Sequence, residues 1–217
     1  MDQPALSEGQ LSQLLTSALS PSELYDKLSS YEDDAYMLFT GNQIHGDPKL
    51  LSAFYASFFV AHLLTDQVPA ARSLTQRMPP SLLQTDVALQ NCLNLLRAVW
   101  QCKHAQVYKI LRELPWPAPV NTIVQRYDVY FQEKALKEVS RAFEAIRPAA
   151  AAEYLGLDTT LAEQHDPSVI DIFVSYGWRW DSEANLLYPE PVPGLPQSID
   201  STKELRDITA LISSHVS

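Results

Sequence analysis

A shift of thirty-six residues lays part of this sequence on itself, setting Phe59 on Leu95, Val60 on Leu96, Leu63 on Val99, Leu64 on Trp100, Ala71 on Val107, Leu74 on Ile110, Met78 on Leu114 and Pro79 on Pro115. Apolar meets apolar at each position, although few identities repeat. Each unit reads as a long helix, a tight turn (Thr65, Asp66, Gln67; then Gln101, Cys102, Lys103), a shorter helix and a proline stop. That is the layout of helical-repeat solenoids, which bury their apolar faces only by stacking. Two units fall short of the usual three, so the preceding helices are expected to cap the stack. The alternative is an irregular helical bundle.

The preceding segment carries its own start signals. Ser7 and Gln10 frame a helix with Leu11, Leu14, Leu15, Ala18 and Leu19 on one face, with Pro21 as its stop. A second short helix is expected over residues 22–30. Residues 31–46 are ambiguous, with Tyr36, Leu38, Phe39 and Ile44 consistent with another helix. Asp47 before Pro48 then supplies an N-cap and a favoured first helical residue.

The proline-dense string at residues 114–119 closes the repeats. A helical pattern follows over residues 120–146, long enough that a break near Gln132 to Lys134 is expected. Beyond it, residues 134–189 read as three helices and two aromatic strands joined by a polar turn, the order of a winged helix. Gly156 ends the first short helix. Two starts fit the next, Asp158 or, around Pro167, Asp166 to Ser168, and it runs to Gly177. The strands are residues 178–181 and 186–188, turning at Ser182, Glu183, Ala184 and Asn185. Prolines at 189, 191, 193 and 196 force an extended exit. Ser201 and Glu204 then open a last helix with Leu205, Ile208, Leu211 and Ile212 on one face. The fold class is thus mainly α: a helical-repeat part over 1–119, a linking helix and winged helix over 120–190, and a proline-rich spacer with an amphipathic helix over 191–217.

Charge narrows the function. A winged helix that reads nucleic acid carries Lys and Arg toward phosphates, yet residues 148–178 contain neither, and they hold Glu153, Asp158, Glu163, Asp166 and Asp171. Sixteen basic against twenty-six acidic residues leave a net charge of -10 on the whole chain, which disfavours nucleic acid and anionic membranes. Protein partners are the expectation. With 46% hydrophobic residues the chain can bury a full core. Residues 1–10 lack the pattern of a signal peptide, and the apolar run at 53–64 is too short and too interrupted to span a bilayer. Cys92 and Cys102, alone and at helical spacing, fit a reducing compartment, cytoplasm or nucleus.

No catalytic or metal site is expected. Five scattered histidines form no HExxH pair, and neither a phosphate-binding glycine loop nor a GxSxG elbow occurs. Glu32, Asp33 and Asp34 read as the acidic start of a helix, favoured by its dipole. No cofactor and no small-molecule substrate are expected. Trp178, Trp180 and Tyr188 resemble a base-stacking platform, but with only Arg179 beside them they read better as an apolar wing that packs on its own core or on a neighbour. The partner-binding candidates are Trp178, Trp180, Leu186, Leu187 and Tyr188 on that wing, where residues 186–188 offer a strand edge, and Leu205, Ile208, Leu211 and Ile212 as helix anchors.

Helical repeats running into a winged helix resemble the PCI-domain family of the proteasome lid, the COP9 signalosome and translation initiation factor 3. The strings AARSLTQRMPP at 70–80, EVSRAF at 138–143 and YGWRWDS at 176–182, with Pro189 and the VPG exit at 192–194, are most similar to the signalosome's subunit 8 family. The likeness covers about residues 49–194, with residues 159–167 reading as an inserted loop and residues 2–46 matching poorly. It implies a non-catalytic scaffold subunit of the complex that removes Nedd8 from cullin-RING ubiquitin ligases, whose isopeptidase lies in another subunit. It also implies assembly through PCI winged helices and a C-terminal helix bundle, with signalosome subunit 3 as neighbour. The alternatives are a small PCI subunit of the proteasome lid or of the initiation factor, a winged-helix nucleic-acid binder, and, least supported, an independent hydrolase.

Overall fold

Two cores share one long helix. A computed structural model describes residues 6–40 and 43–190; the spacer and final helix expected beyond residue 190, with Leu205, Ile208, Leu211 and Ile212, lie outside the described residues. The chain order is α1 (Glu8–Thr16), α2 (Pro21–Ser29), α3 (Glu32–Met37), β1 (Phe39–Thr40), β2 (Gln43–Ile44), α4 (Pro48–Leu64), α5 (Val68–Arg77), α6 (Pro80–Thr85), α7 (Val87–Trp100), α8 (His104–Glu113), α9 (Ala118–Ala142), α10 (Pro148–Leu155), α11 (Thr159–Glu163), α12 (Pro167–Ser175), β3 (Arg179–Asp181) and β4 (Leu186–Tyr188).

The first core is built around α4, which is apolar on nearly every side and therefore buried on nearly every side, from Leu51 through Phe54, Phe58 and Phe59 to Leu63. Asp47 caps it by accepting from the Lys49 N–H, and Pro48 opens its first turn, as the sequence suggests. Helices α1, α2, α5, α7 and α9 all pack on it. Pro21 does not stop α1: it opens α2, behind a capping box in which Ser20 and Glu23 satisfy each other's backbone N–H. The ambiguous segment at 31–46 divides into the short α3 and a two-residue antiparallel hairpin rather than one helix.

The thirty-six-residue repeat is physical. Helices α5 and α8 lie thirty-six residues apart at both ends, and so do the C-terminal ends of α4 and α7. The turns match bond for bond. Asp66 and Cys102 both take left-handed φ, at 57° and 53°. The Gln67 N–H reaches the His62 carbonyl at 2.8 Å, and the Lys103 N–H reaches that of Ala98 at 3.0 Å. These are Schellman closures made without glycine. The units differ between them, where α6 fills the gap before Asp86 caps α7.

The α9 helix is unbroken, where a break near Gln132 was expected. It holds no glycine after its start and its only proline, Pro119, lies in the first turn, where proline is tolerated. Gln132 and Lys134 are held from outside, by the Leu155 carbonyl at 2.7 Å and by the Asp66 carboxylate. At roughly 1.5 Å per residue the helix reaches from one core to the other. Its Val120, Ile123, Val124 and Tyr127 belong to the first core, and its Ala135 and Val139 to the second. The second core gathers these with Ile146, Leu155, Ala162, Phe173, Trp178 and Leu187.

Residues 159–167 form a short helix and the cap of the next rather than a loop. Asp158 caps α11 by accepting from the Thr160 and Leu161 N–H groups, Ala162 is fully buried, and Asp166 caps α12 in turn. Both starts considered for the third helix are thus real, one for each of two helices.

Candidate functional site

The wing follows from alternation. In Trp178-Arg179-Trp180-Asp181 the even positions point inward and the odd ones outward, because successive strand side chains leave opposite faces. Gly177, at φ 86°, turns the chain from α12 into this strand. Strands β3 and β4 pair antiparallel, Arg179 opposite Tyr188, Trp180 opposite Leu187 and Asp181 opposite Leu186. The turn is tied by Asp181, which accepts from the Glu183 and Ala184 N–H groups, and by Asn185 at φ 54°.

Of the wing candidates, Trp178 and Leu187 are not surface residues. Trp178 is 2% exposed, stacks on Phe173 with ring centres 5.6 Å apart, and donates its indole N–H to Ser140 Oγ at 3.0 Å. Leu187 is fully buried. Trp180 is half-buried with its ring 5.3 Å from that of His165. Leu186 and Tyr188 face outward, partly exposed, and Tyr188 carries the Arg179 guanidinium 4.3 Å above its ring.

The expected free edge at residues 186–188 is also occupied. Ile146 and Leu187 exchange both backbone hydrogen bonds, each at 2.8 Å. Residues 143–146 leave the helical pattern after Ala142 to supply this third strand position. Because Leu187 spends its backbone groups on Ile146, its partner Trp180 is a non-hydrogen-bonded pair. The Trp180 N–H and C=O therefore point to the other side, and β3 is the open edge of the sheet among the described residues. Arg179 and Asp181 thus belong to the candidate surface although sequence reading passed them over, and buried Ile146 closes the sheet's other side. The W-R-W-D alternation was the available signal for the first two; nothing local marks Ile146.

The charge pattern is as the sequence implied. Along α12, Ser168, Asp171, Val174 and Ser175 are exposed, and no cation lies beside them on the helix. Arg179 is the sole basic residue between 148 and 190, and it is stacked on Tyr188. Among the described residues, no group of three His, Cys, Asp or Glu side chains is placed to hold a metal ion, and no helix is long and apolar enough to cross a membrane. Buried Cys92 has its thiol pushed well up by burial, so it stays protonated and packs as a small apolar residue.

Comparison with known proteins fits this architecture. Residues 49–197 match the model of the CSN8/PSMD8/EIF3K family. The chain is 50% identical to COP9 signalosome complex subunit 8 of Emericella nidulans over 214 residues, 98% of each chain. It is 21% identical to the protein of that name from Xenopus tropicalis, over 73% of this chain and 79% of the relative. For the one from Dictyostelium discoideum the identity is 19%, over 75% and 80%. Two-thirds of the chain falls within the family model and nearly all of it aligns with a half-identical relative, so the chain belongs to the CSN8/PSMD8/EIF3K family, alongside subunit 8 of the COP9 signalosome.

Proposed function

We propose that this protein is a non-catalytic scaffold subunit of the COP9 signalosome, the complex that removes Nedd8 from cullin-RING ligases, and that it works in the cytoplasm and nucleus. The observation that carries the reading is the 50% identity to a subunit 8 across 98% of both chains, which includes the helices before the family match as well as the winged helix. The geometry supports it. A winged helix whose residues 148–178 carry five carboxylates and neither Lys nor Arg is a poor phosphate binder and a serviceable protein-binding module.

Its open edge at β3 can take a strand from a neighbouring winged helix, with Leu186 and Tyr188 covering the outer face and backbone hydrogen bonds giving the register. A neighbouring PCI subunit, signalosome subunit 3, is the partner proposed there. The four apolar residues of the tail, Leu205, Ile208, Leu211 and Ile212, are proposed as anchors in a helix bundle shared with other subunits.

Affinity purification from the native cell tests the reading, using the full-length protein and a form lacking residues 195–217. The full-length protein is expected to recover other PCI subunits, and failure to do so refutes the assignment. Unchanged recovery by the shortened form removes the bundle from the account while leaving the wing.

A further inference from the structure

A second surface lies on the helical repeats, away from the wing. Helices α5 and α7 leave an open groove of about 550 Å³ between them. Its floor on the α7 side is Leu93, Leu96 and Trp100, spaced i, i+3 and i+7 along about 10 Å of helix. Trp100 is 56% exposed, whereas Leu64, its equivalent in the preceding repeat, is 4% exposed. The position that the first unit covers is therefore left open in the second. Arg72 and Arg97 flank this stripe from the two helices, and the Arg72 guanidinium sits 5.7 Å from the Trp100 ring centre. Neither arginine has an ion-pair partner among the described residues, and no carboxylate lines the groove.

We infer that this groove docks an acidic amphipathic helix of a partner protein. Tryptophan and arginine are among the residue types enriched at the energetic centres of protein interfaces. The apolar stripe matches the two turns that a helix presents through its own i, i+3 and i+7 residues, and carboxylates beside those anchors would meet two guanidinium groups able to bind them in a bidentate manner. Nucleic acid is disfavoured because two arginines must work against a chain carrying -10 overall. Residues 191–217 of this chain are a weaker match, with three acids against two bases. The inference is independent of the wing and of its partner.

Fluorescence anisotropy on the full chain tests it. The probe is a fluorescein-labelled Leu/Glu amphipathic peptide of about fourteen residues, near the shortest length at which an isolated helix forms, and the counter-probe is the same pattern in Leu and Lys. The Leu/Glu probe is expected to bind and to weaken with salt. Arg72→Glu with Arg97→Glu, both at exposed positions, should weaken it at least tenfold and reverse the preference toward the Leu/Lys probe; Trp100→Ala should weaken both complexes. Equal binding of the two probes by the unmodified chain overturns the inference, as does Leu/Glu binding that survives the double charge reversal. Displacement of the probe by a peptide of residues 197–217, or stronger binding of a single-stranded RNA at the same arginines, overturns the choice of occupant.

Discussion

The ring of Tyr108 fills the space that any side chain at residue 156 would need: a Cβ built on Gly156 would lie 2.5 Å from Tyr108 Cγ. This contact joins the two cores. The Tyr108 hydroxyl donates to the Tyr154 carbonyl at 3.0 Å, and Arg112, itself paired with Asp128 and stacked on the Tyr108 ring, donates to the Gly156 carbonyl. The glycine does two things at once, since it also takes φ 63° to end α10.

Gly156→Ala should therefore cost about 2–5 kcal/mol, combining a left-handed penalty of about 1–2 kcal/mol with overpacking of about 1–3 kcal/mol. Urea denaturation measures it. In a Tyr108→Ala background only the backbone part remains, so the same substitution should cost less there. Equal costs in both backgrounds would show that the ring is not what excludes the side chain.

Ser140 and Trp178 make the corresponding test inside the second core. Ser140 lies buried on α9 and is the partner of a buried indole N–H. Ser140→Ala strands that donor and should destabilise by about 1–3 kcal/mol. Trp178→Ala also opens a cavity and should cost about 3–5 kcal/mol. Thermal or urea unfolding reads both, and a Ser140→Ala variant as stable as the parent would mean that the indole finds another partner.

What could be read in advance, and what could not, follows from how far each signal reaches along the chain. The thirty-six-residue shift located four helices and both left-handed turns, because every unit must bury the same face in the same way. Caps such as Asp47 are equally local, one side chain serving a backbone group two or three residues away. The position of Ile146 is different. Its strand character comes from Leu187, forty-one residues later, so nothing near it in sequence announces it. Trp178 differs from its expected place on the surface for another reason. Aromatic strand residues look alike whether they face a core or a partner, and only the W-R-W-D alternation, set against Ser140 waiting on α9, decides that Trp178 turns inward. The loop proposed at 159–167 failed on scale: α11 is five residues long and held by one cap and one buried alanine.

His62 makes stability depend on pH. It sits in the first core against Phe58 and Tyr25, with ring centres 4.6 and 5.0 Å away, and burial pushes its imidazole below the ordinary value of 6.5, with Glu32 and Arg77 as opposing and mutually paired charges nearby. The unfolded chain then binds a proton that the folded chain resists. Stability is full above pH 6.5 and falls as the pH drops below it toward the folded value. Urea midpoints at pH 7.5 and 5.5 are expected to differ more for the parent than for His62→Met, which has no imidazole in the core. An identical slope in the variant would assign the effect elsewhere.

The two matched turns should answer the same substitution unequally. Cys102 holds φ 53° with an exposed side chain, so Cys102→Gly relieves the left-handed strain and should stabilise by about 0.5–1 kcal/mol net of the added unfolded-chain entropy. Asp66 holds the same conformation, but its carboxylate accepts from Tyr130 and pairs with Lys134 on α9. Burial alone would raise that carboxyl, and these two partners outweigh it and hold it below its ordinary value. Asp66→Gly should accordingly gain less than Cys102→Gly or lose stability outright, and the difference should shrink as acid protonates the carboxylate. Parallel melts of the two variants at neutral and at acid pH decide it.

The open edge of the wing can be tested without removing the wing. Trp180 directs its N–H away from β4, since its partner Leu187 bonds to Ile146 on the other side. Trp180→Pro deletes that one outward donor, at a strand edge where proline is tolerated, whereas Trp180→Ala deletes the side chain and keeps the donor. If a neighbouring subunit adds a strand to β3, both variants lose the contribution of the indole, and proline should lose about a further tenfold in recovery of other subunits, the size of one net hydrogen bond of about 1.4 kcal/mol. Circular dichroism must show both variants folded for the comparison to count. Equal recovery by the folded alanine and proline variants would place the neighbour on the outer face, at Leu186 and Tyr188, and leave the β3 edge without a partner.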